Sequence, residues 1–157
     1  MRRQKLDKID KKILRDLQGN GRITNVELAE NAGISAPPCL RRVRALEDAG
    51  YIKSYHARLN PAAMGYTVTV FAMVKLASHA EGELLKFEKK IKDWPMIREC
   101  YMLAGDVDFV LKIVAKDWDH YQEFLTTELT SIPNVTSVNS SLAIRTAKDD
   151  SGIPVEE

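Results

Sequence analysis

The sequence predicts an α+β chain in two parts: an N-terminal helix-turn-helix (winged-helix-like) unit over 1–60, then a ferredoxin-like βαββαβ unit over 61–157. Three observations carry that prediction. Between Arg22 and Tyr51, two short stretches with apolar stripes flank a glycine turn. Beyond residue 60 the apolar period changes from helical to alternating, and the segments then read strand, helix, strand, strand, helix, strand. Charge divides at the same place. Residues 1–60 hold 13 Lys+Arg against 7 Asp+Glu, a balance of +6; residues 61–157 hold 10 against 15, a balance of −5, which together give the net +1.

The first helix is expected over Leu6–Leu17, with Leu6, Ile9, Ile13, Leu14 and Leu17 on one face and Asp7 as N-cap or first-turn acid. Gly19 and Gly21, either side of Asn20, end it. Thr24 followed by Glu27 is a capping box and starts the second helix, which carries Val26, Leu28, Ala29 and Ala32. Gly33 supplies a turn residue that tolerates positive φ. The third helix carries Leu40, Val43 and Leu46 as its apolar stripe, with Arg41, Arg42 and Arg44 on other faces. Its start lies between Ser35 and Pro38. Residues before proline avoid αR, so Ala36 and Pro37 are expected outside the regular helix. The predicted core of the three helices is Ile9, Ile13, Leu17, Leu28, Ile34, Leu40, Val43 and Leu46.

Gly50 caps the third helix, and Tyr51–Leu59 alternates like a strand. Lys53, His56 and Arg58 on it would form a small wing against phosphates. His56 reads as a solvated residue rather than a ligand. Asn60-Pro61 with Gly65 marks the turn between domains. Tyr66–Lys75 is the next strand, with Val68, Val70, Ala72 and Val74 on one face and Thr67, Thr69, Phe71 and Met73 on the other. Glu81–Trp94 reads as a helix stopped by Pro95. Ile97–Leu103 and Asp108–Ala115 are strands joined by a hairpin-length loop. Asp117 caps a helix carrying Trp118, Tyr121, Phe124, Leu125 and Leu129, and Val135–Ile144 is the last strand. Helices cover one side of such a sheet, and the first strand is apolar on both sides, so sheet-to-sheet pairing into a homodimer is expected. The polar tail Lys148–Glu157 is expected to be loose.

At 45% hydrophobic and 29% charged residues, the composition is that of a globular protein. No apolar run approaches the roughly 20 residues of a membrane span. The N-terminus lacks the apolar middle of a signal peptide, which points to the cytoplasm. Cys39 and Cys100 are too isolated for a zinc site, and no disulfide is expected. A basic first third that bears an arginine-lined helix after a glycine turn points to double-stranded DNA. The competing structural reading is a plain three-helix bundle. Ser35 would meet the backbone, Pro37 and Pro38 would pack on thymine methyls, Arg41 and Arg42 would lie near the groove floor, and Arg44 and Lys53 would take phosphates. An enzyme is the other class, since folding could join Cys100, His120 and an acid. His79 and His120 lack metal spacing, however, and no phosphate loop, nucleophile elbow or HExxH element occurs. A sensing protein that has lost DNA binding is a further alternative, opposed by Arg41, Arg42 and Arg44.

Four segments carry a resemblance: LDKIDKKILRDLQGNGR at 6–22, ELAENAGIS at 27–35, CLRRVRALEDAGYI at 39–52 and AGDVDFVLKI at 104–113. Together they resemble the Lrp/AsnC family, the leucine-responsive or feast/famine regulators, from Leu6 to about Arg145. The resemblance implies a bacterial or archaeal transcription factor; no enzymatic activity and no cofactor are expected. It would bind DNA as a dimer, assemble further to an octamer, and respond to a small effector, usually an amino acid. Pro37-Pro38 departs from the family's Ser-Pro-Ser/Thr start of the recognition helix. The family's Gly-x-x-Asp element is present as Gly105-Asp106-Val107-Asp108. Effectors of similar proteins bind near this loop, at contacts between subunits. A Gly loop can offer N–H groups to a carboxylate, and an aspartate can pair with an α-ammonium. Read locally, Gly105 and Asp108 build a tight turn. Ser140 and Ser141 on the last strand are further polar candidates for the same cleft.

Overall fold

The computed structural model describes residues 5–150 and 152–156, and the chain forms two compact units. One runs to Arg58 and takes in the chain again from Asp149. The other is Leu59–Lys148.

In the first unit, helix α1 is Lys8–Gly19, α2 is Asn25–Ala32 and α3 is Ala36–Asp48. Asp7 caps α1 in a box with Asp10: the Asp10 N–H donates to Asp7 Oδ1 at 2.8 Å, and the Asp7 N–H donates to Asp10 Oδ2 at 3.2 Å. The Thr24–Glu27 box starts α2, and Gly33 ends it in the left-handed region at φ +72°. Helix α3 begins earlier than its prolines suggested. Ala36 and Pro37 lie inside it, and its first intrahelical bond is Cys39 N–H to Ser35 C=O at 3.2 Å. First-turn N–H groups have no partner within a helix, so two prolines there remove nothing the helix uses. Gly50, at φ +75°, lets the Tyr51 N–H return to the Leu46 carbonyl at 2.9 Å.

The first unit's core is Ile13, Leu28, Ala29, Cys39 and Leu46, with Ile9, Leu17, Ile34 and Val43 packed around it. Leu40, expected in that core, is 41% exposed, while Cys39 is fully buried. The stripe is therefore 39, 43, 46. Spacings of four and three stay on one side of a 3.6-residue helix, whereas successive threes drift around it. The expected wing strand is not formed: Tyr51–Leu59 has no ladder within the described residues. An alternating segment becomes a strand only when a neighbour takes its backbone groups. Two of its side chains bond elsewhere. Tyr55 donates to Glu47 Oε1 at 2.8 Å, and Arg58 reaches Asp149.

In the second unit, β1 (Val68–Leu76), α4 (Glu81–Lys92), β2 (Ile97–Met102), β3 (Phe109–Ala115), α5 (Trp118–Phe124) and β4 (Val135–Leu142) follow in order. A single π turn, Leu125–Leu129, extends α5. The strands form one antiparallel sheet in the order β2-β3-β1-β4, the ferredoxin-like arrangement. Val70, Ala72, Val74 and Leu76 of β1 and Phe109, Leu111, Ile113 and Ala115 of β3 face the helices. They pack with Phe87 and Ile91 of α4 and with Tyr121 and Phe124 of α5. The opposite face carries Phe71, Met73, Tyr101, Val110 and Lys112. Phe71 and Tyr101 are exposed there, at 41% and 57%.

Candidate nucleic-acid interface and effector loop

In the first unit the α2 N-cap box and the Gly33 turn set the angle at which the chain enters α3. Asn25 adds a cross-link, donating from Nδ2 to the Ala36 carbonyl at 2.9 Å. With Cys39, Val43 and Leu46 turned inward, the faces bearing Arg41 and Arg44 are left to solvent. Both arginines are exposed, and neither has an ion pair among the described residues. Lys53 and Pro37 are exposed, and Pro38 is half-buried. Ser35 stands at the N-cap position, yet its hydroxyl makes no capping bond and faces solvent.

Arg42 departs from expectation. Its Nη1 lies 2.8 Å from Asp7 Oδ2 and 2.6 Å from Asp10 Oδ1, so it straps α3 to the start of α1. The two carboxylates raise its pKa, Asp10 more than Asp7. Asp7 in turn is held below the usual carboxylate range, first by the Asp10 N–H and then by Arg42. Nη1 is thereby committed within the chain, which gives Arg42 a structural role that Arg41 and Arg44 lack. The sequence signal was there: Asp7 and Asp10 lie one turn apart at the start of α1. Only tertiary packing brings them to Arg42.

In the second unit Gly105 and Asp106 are exposed in the β2–β3 loop. Asp108 is held at that loop's end. Its Oδ2 accepts the Leu76 N–H at 2.7 Å and its Oδ1 lies 2.9 Å from His79 Nε2, while its own N–H donates to the Val74 carbonyl at 3.0 Å. Asp108 thus binds the end of β1 to the loop, a role the turn reading foresaw in part and the His79 contact extends. Ser140 and Ser141 do not share a cleft. Ser140 pairs with Ala72 on the helix-covered side and hydrogen bonds to the Tyr121 hydroxyl, while Ser141 pairs with Phe71 on the open side. Adjacent strand residues point to opposite faces, so within one chain the two hydroxyls do not line one cleft. Burial raises the Tyr121 pKa, with the Ser140 hydroxyl acting against it.

On the open face, Lys112 Nζ lies 2.8 Å from Glu99 Oε1, and the Tyr101 hydroxyl donates to Glu99 Oε2 at 2.9 Å. Lys112 holds Glu99 below the usual carboxylate range. Among the described residues no group of His, Cys, Asp and Glu is placed to hold a metal ion. No helix of the described residues is long and apolar enough to cross a membrane.

Comparison with known proteins adds to this geometry. Residues 6–53 match a winged helix-turn-helix DNA-binding family, and residues 69–153 match the Lrp/AsnC ligand binding domain. The chain is 51% identical over 147 residues to a leucine-responsive regulatory protein of Rhizobium meliloti, covering 94% of each. It is 41% identical over 150 residues to a Bkd operon transcriptional regulator of Pseudomonas aeruginosa, covering 96% of this chain and 98% of that one. Among solved structures, a transcriptional regulator of Neisseria meningitidis in complex with L-methionine superimposes with a TM-score of 0.92. It shares 35% identity and covers 96% of this chain and 97% of its own.

Proposed function

Since the chain belongs to the Lrp/AsnC family of transcriptional regulators, we propose that it is a homodimeric DNA-binding regulator tuned by an amino acid effector. Helix α3 enters the major groove. Arg41 reads a base edge, Arg44 and Lys53 take phosphates, and Ser35 and Pro37 meet the backbone and bases at the helix start. The observation that carries this reading is the pair of exposed arginines on α3 with no ion pair among the described residues, beside an Arg42 whose packing fixes the helix on its unit. Two copies join through the open sheet face around Phe71 and Tyr101, with octamers as the larger assembly. The effector meets the Gly105–Asp108 loop, where Gly105 and Asp106 are exposed and Asp108 is in part occupied by His79. The L-methionine held by the Neisseria relative supports an amino acid as the effector class. The protein acts by binding in the cytoplasm, and the reading includes no catalytic step.

The test is titration of a duplex, selected by the protein from a random-sequence pool, at several salt concentrations. Affinity should fall with salt at a slope of roughly −0.9 per phosphate contacted. Recovery of no duplex at low salt would overturn the reading.

A further inference from the structure

The proposed function leaves the C-terminal tail unused, yet its contacts are specific. Gln18, near the end of α1, donates from Nε2 to the Ile153 carbonyl at 2.8 Å and accepts the Ile153 N–H on Oε1 at 3.1 Å. One side-chain amide thereby stands in for a strand partner. Arg15 reaches the Val155 carbonyl at 3.5 Å, and Arg58 holds Asp149 by its carboxylate and by its carbonyl, the latter at 2.9 Å. Gly152 sits at φ +116°, and a Cβ there would collide with the Gln18 amide. Glycine is needed both for that backbone and for that approach. Charge agrees, since Asp149, Asp150 and Glu156 return to the basic part of the chain.

The clasp alters connectivity. The first unit is joined to the second by two stretches of chain, one leaving at Arg58 and one returning at Asp149. Only residues 143–148 separate β4 from the clasp. Helix α1, which the tail grips, grips α3 in turn through Asp7, Asp10 and Arg42. We propose that the tail is a second tether, which limits the excursion of the DNA-reading unit and so narrows the half-site spacing a dimer accepts. The proposal rests on the dimeric, DNA-binding reading above. One flexible linker lets a unit sample a wide volume, and a second attachment cuts that volume sharply.

Full-length Gly152→Val and Gln18→Ala proteins test it. The probes are two-half-site duplexes selected by the wild type, the same duplexes with the spacing lengthened by ~5 bp, and a single half-site. Wild type should prefer its own spacing by about tenfold, and both variants by about threefold or less, with single-half-site affinity unchanged. Hydrogen exchange at Arg15–Gly19 should quicken about tenfold in both. Variants that keep the wild-type spacing preference overturn the tether alone. A wild type without any spacing preference overturns the dimer reading and the tether with it. Unchanged exchange in both variants means no clasp forms in solution, which also overturns the proposal.

Discussion

Arg41 and Arg42 are neighbours with opposite fates, because successive residues on a helix lie 100° apart. Arg42 falls beside Asp10, which is 7% exposed, and removing the guanidinium leaves a largely desolvated carboxylate without its partner. Arg42→Ala is therefore expected to lower the melting temperature by a few degrees while folded protein keeps most of its DNA affinity. Arg41→Ala is expected to do the reverse, with unchanged melting and a loss of about 1–3 kcal/mol in discrimination if Arg41 pairs with guanine. Differential scanning fluorimetry and fluorescence anisotropy on the two variants separate these outcomes. An Arg42→Ala protein that melts like wild type but cannot bind DNA would exchange the two roles.

Helices α1 and α2 both start in capping boxes that include carboxylates, and this makes their stability sensitive to acid. Asp7 is held below its ordinary pKa by the Asp10 N–H and by Arg42, and Glu27 by the N–H and hydroxyl of Thr24. A carboxylate whose pKa is lower folded than unfolded stabilises the fold above its unfolded value, and that stability is lost as pH falls through the folded value. Helices α1 and α2 should thus weaken below about pH 4, the ordinary carboxylate range. Thermal melts followed by circular dichroism down to acid pH check this, and Asp7→Asn with Glu27→Gln should flatten the dependence. Helix α3 follows a different rule. It starts on two prolines and an N-cap serine that makes no cap, so its position comes from packing of Cys39, Val43 and Leu46 and from the Arg42 strap. The preference of pre-proline residues for extended backbone is a tendency of isolated chain, and tertiary contacts override it here.

Across the assembled chain, the open sheet face is where the next level of structure would form. Phe71 lies at its centre with Met73 and Val110 nearby, and the Glu99–Lys112 pair and the Tyr101 hydroxyl give it polar groups already satisfied within the chain. The charges of that pair can be covered together without being left unpaired. Phe71→Glu places a carboxylate there and is expected to convert the proposed dimer to monomer and weaken binding to two-half-site DNA. Light scattering after size exclusion measures the first effect. A variant of unchanged mass would place the dimer contact elsewhere.

Much of the fold could be read from local pattern. The Thr24–Glu27 box, the Gly33 turn and the order of strands and helices beyond residue 60 depend on period and capping, which are short-range and survive translation into structure. So does Ile13 in the core. The misreadings share one cause, the absence of distant partners from a linear pattern. Tyr51–Leu59 alternates like a strand but meets no ladder, Leu40 lost its buried place to Cys39, and Ser140 and Ser141 parted to opposite faces. Arg42 looked free because Asp7 and Asp10 come near only when α1 packs on α3. The tail looked loose because Gln18 and Arg58, which hold it, are remote in sequence. Local periodicity and capping chemistry thus determined most of the elements, while the four motif segments carried the family resemblance. The identity of the free cations, the partner of Asp108 and the destination of the tail depended on the tertiary fold, because each is a pairing of groups that only packing can bring within hydrogen-bond reach.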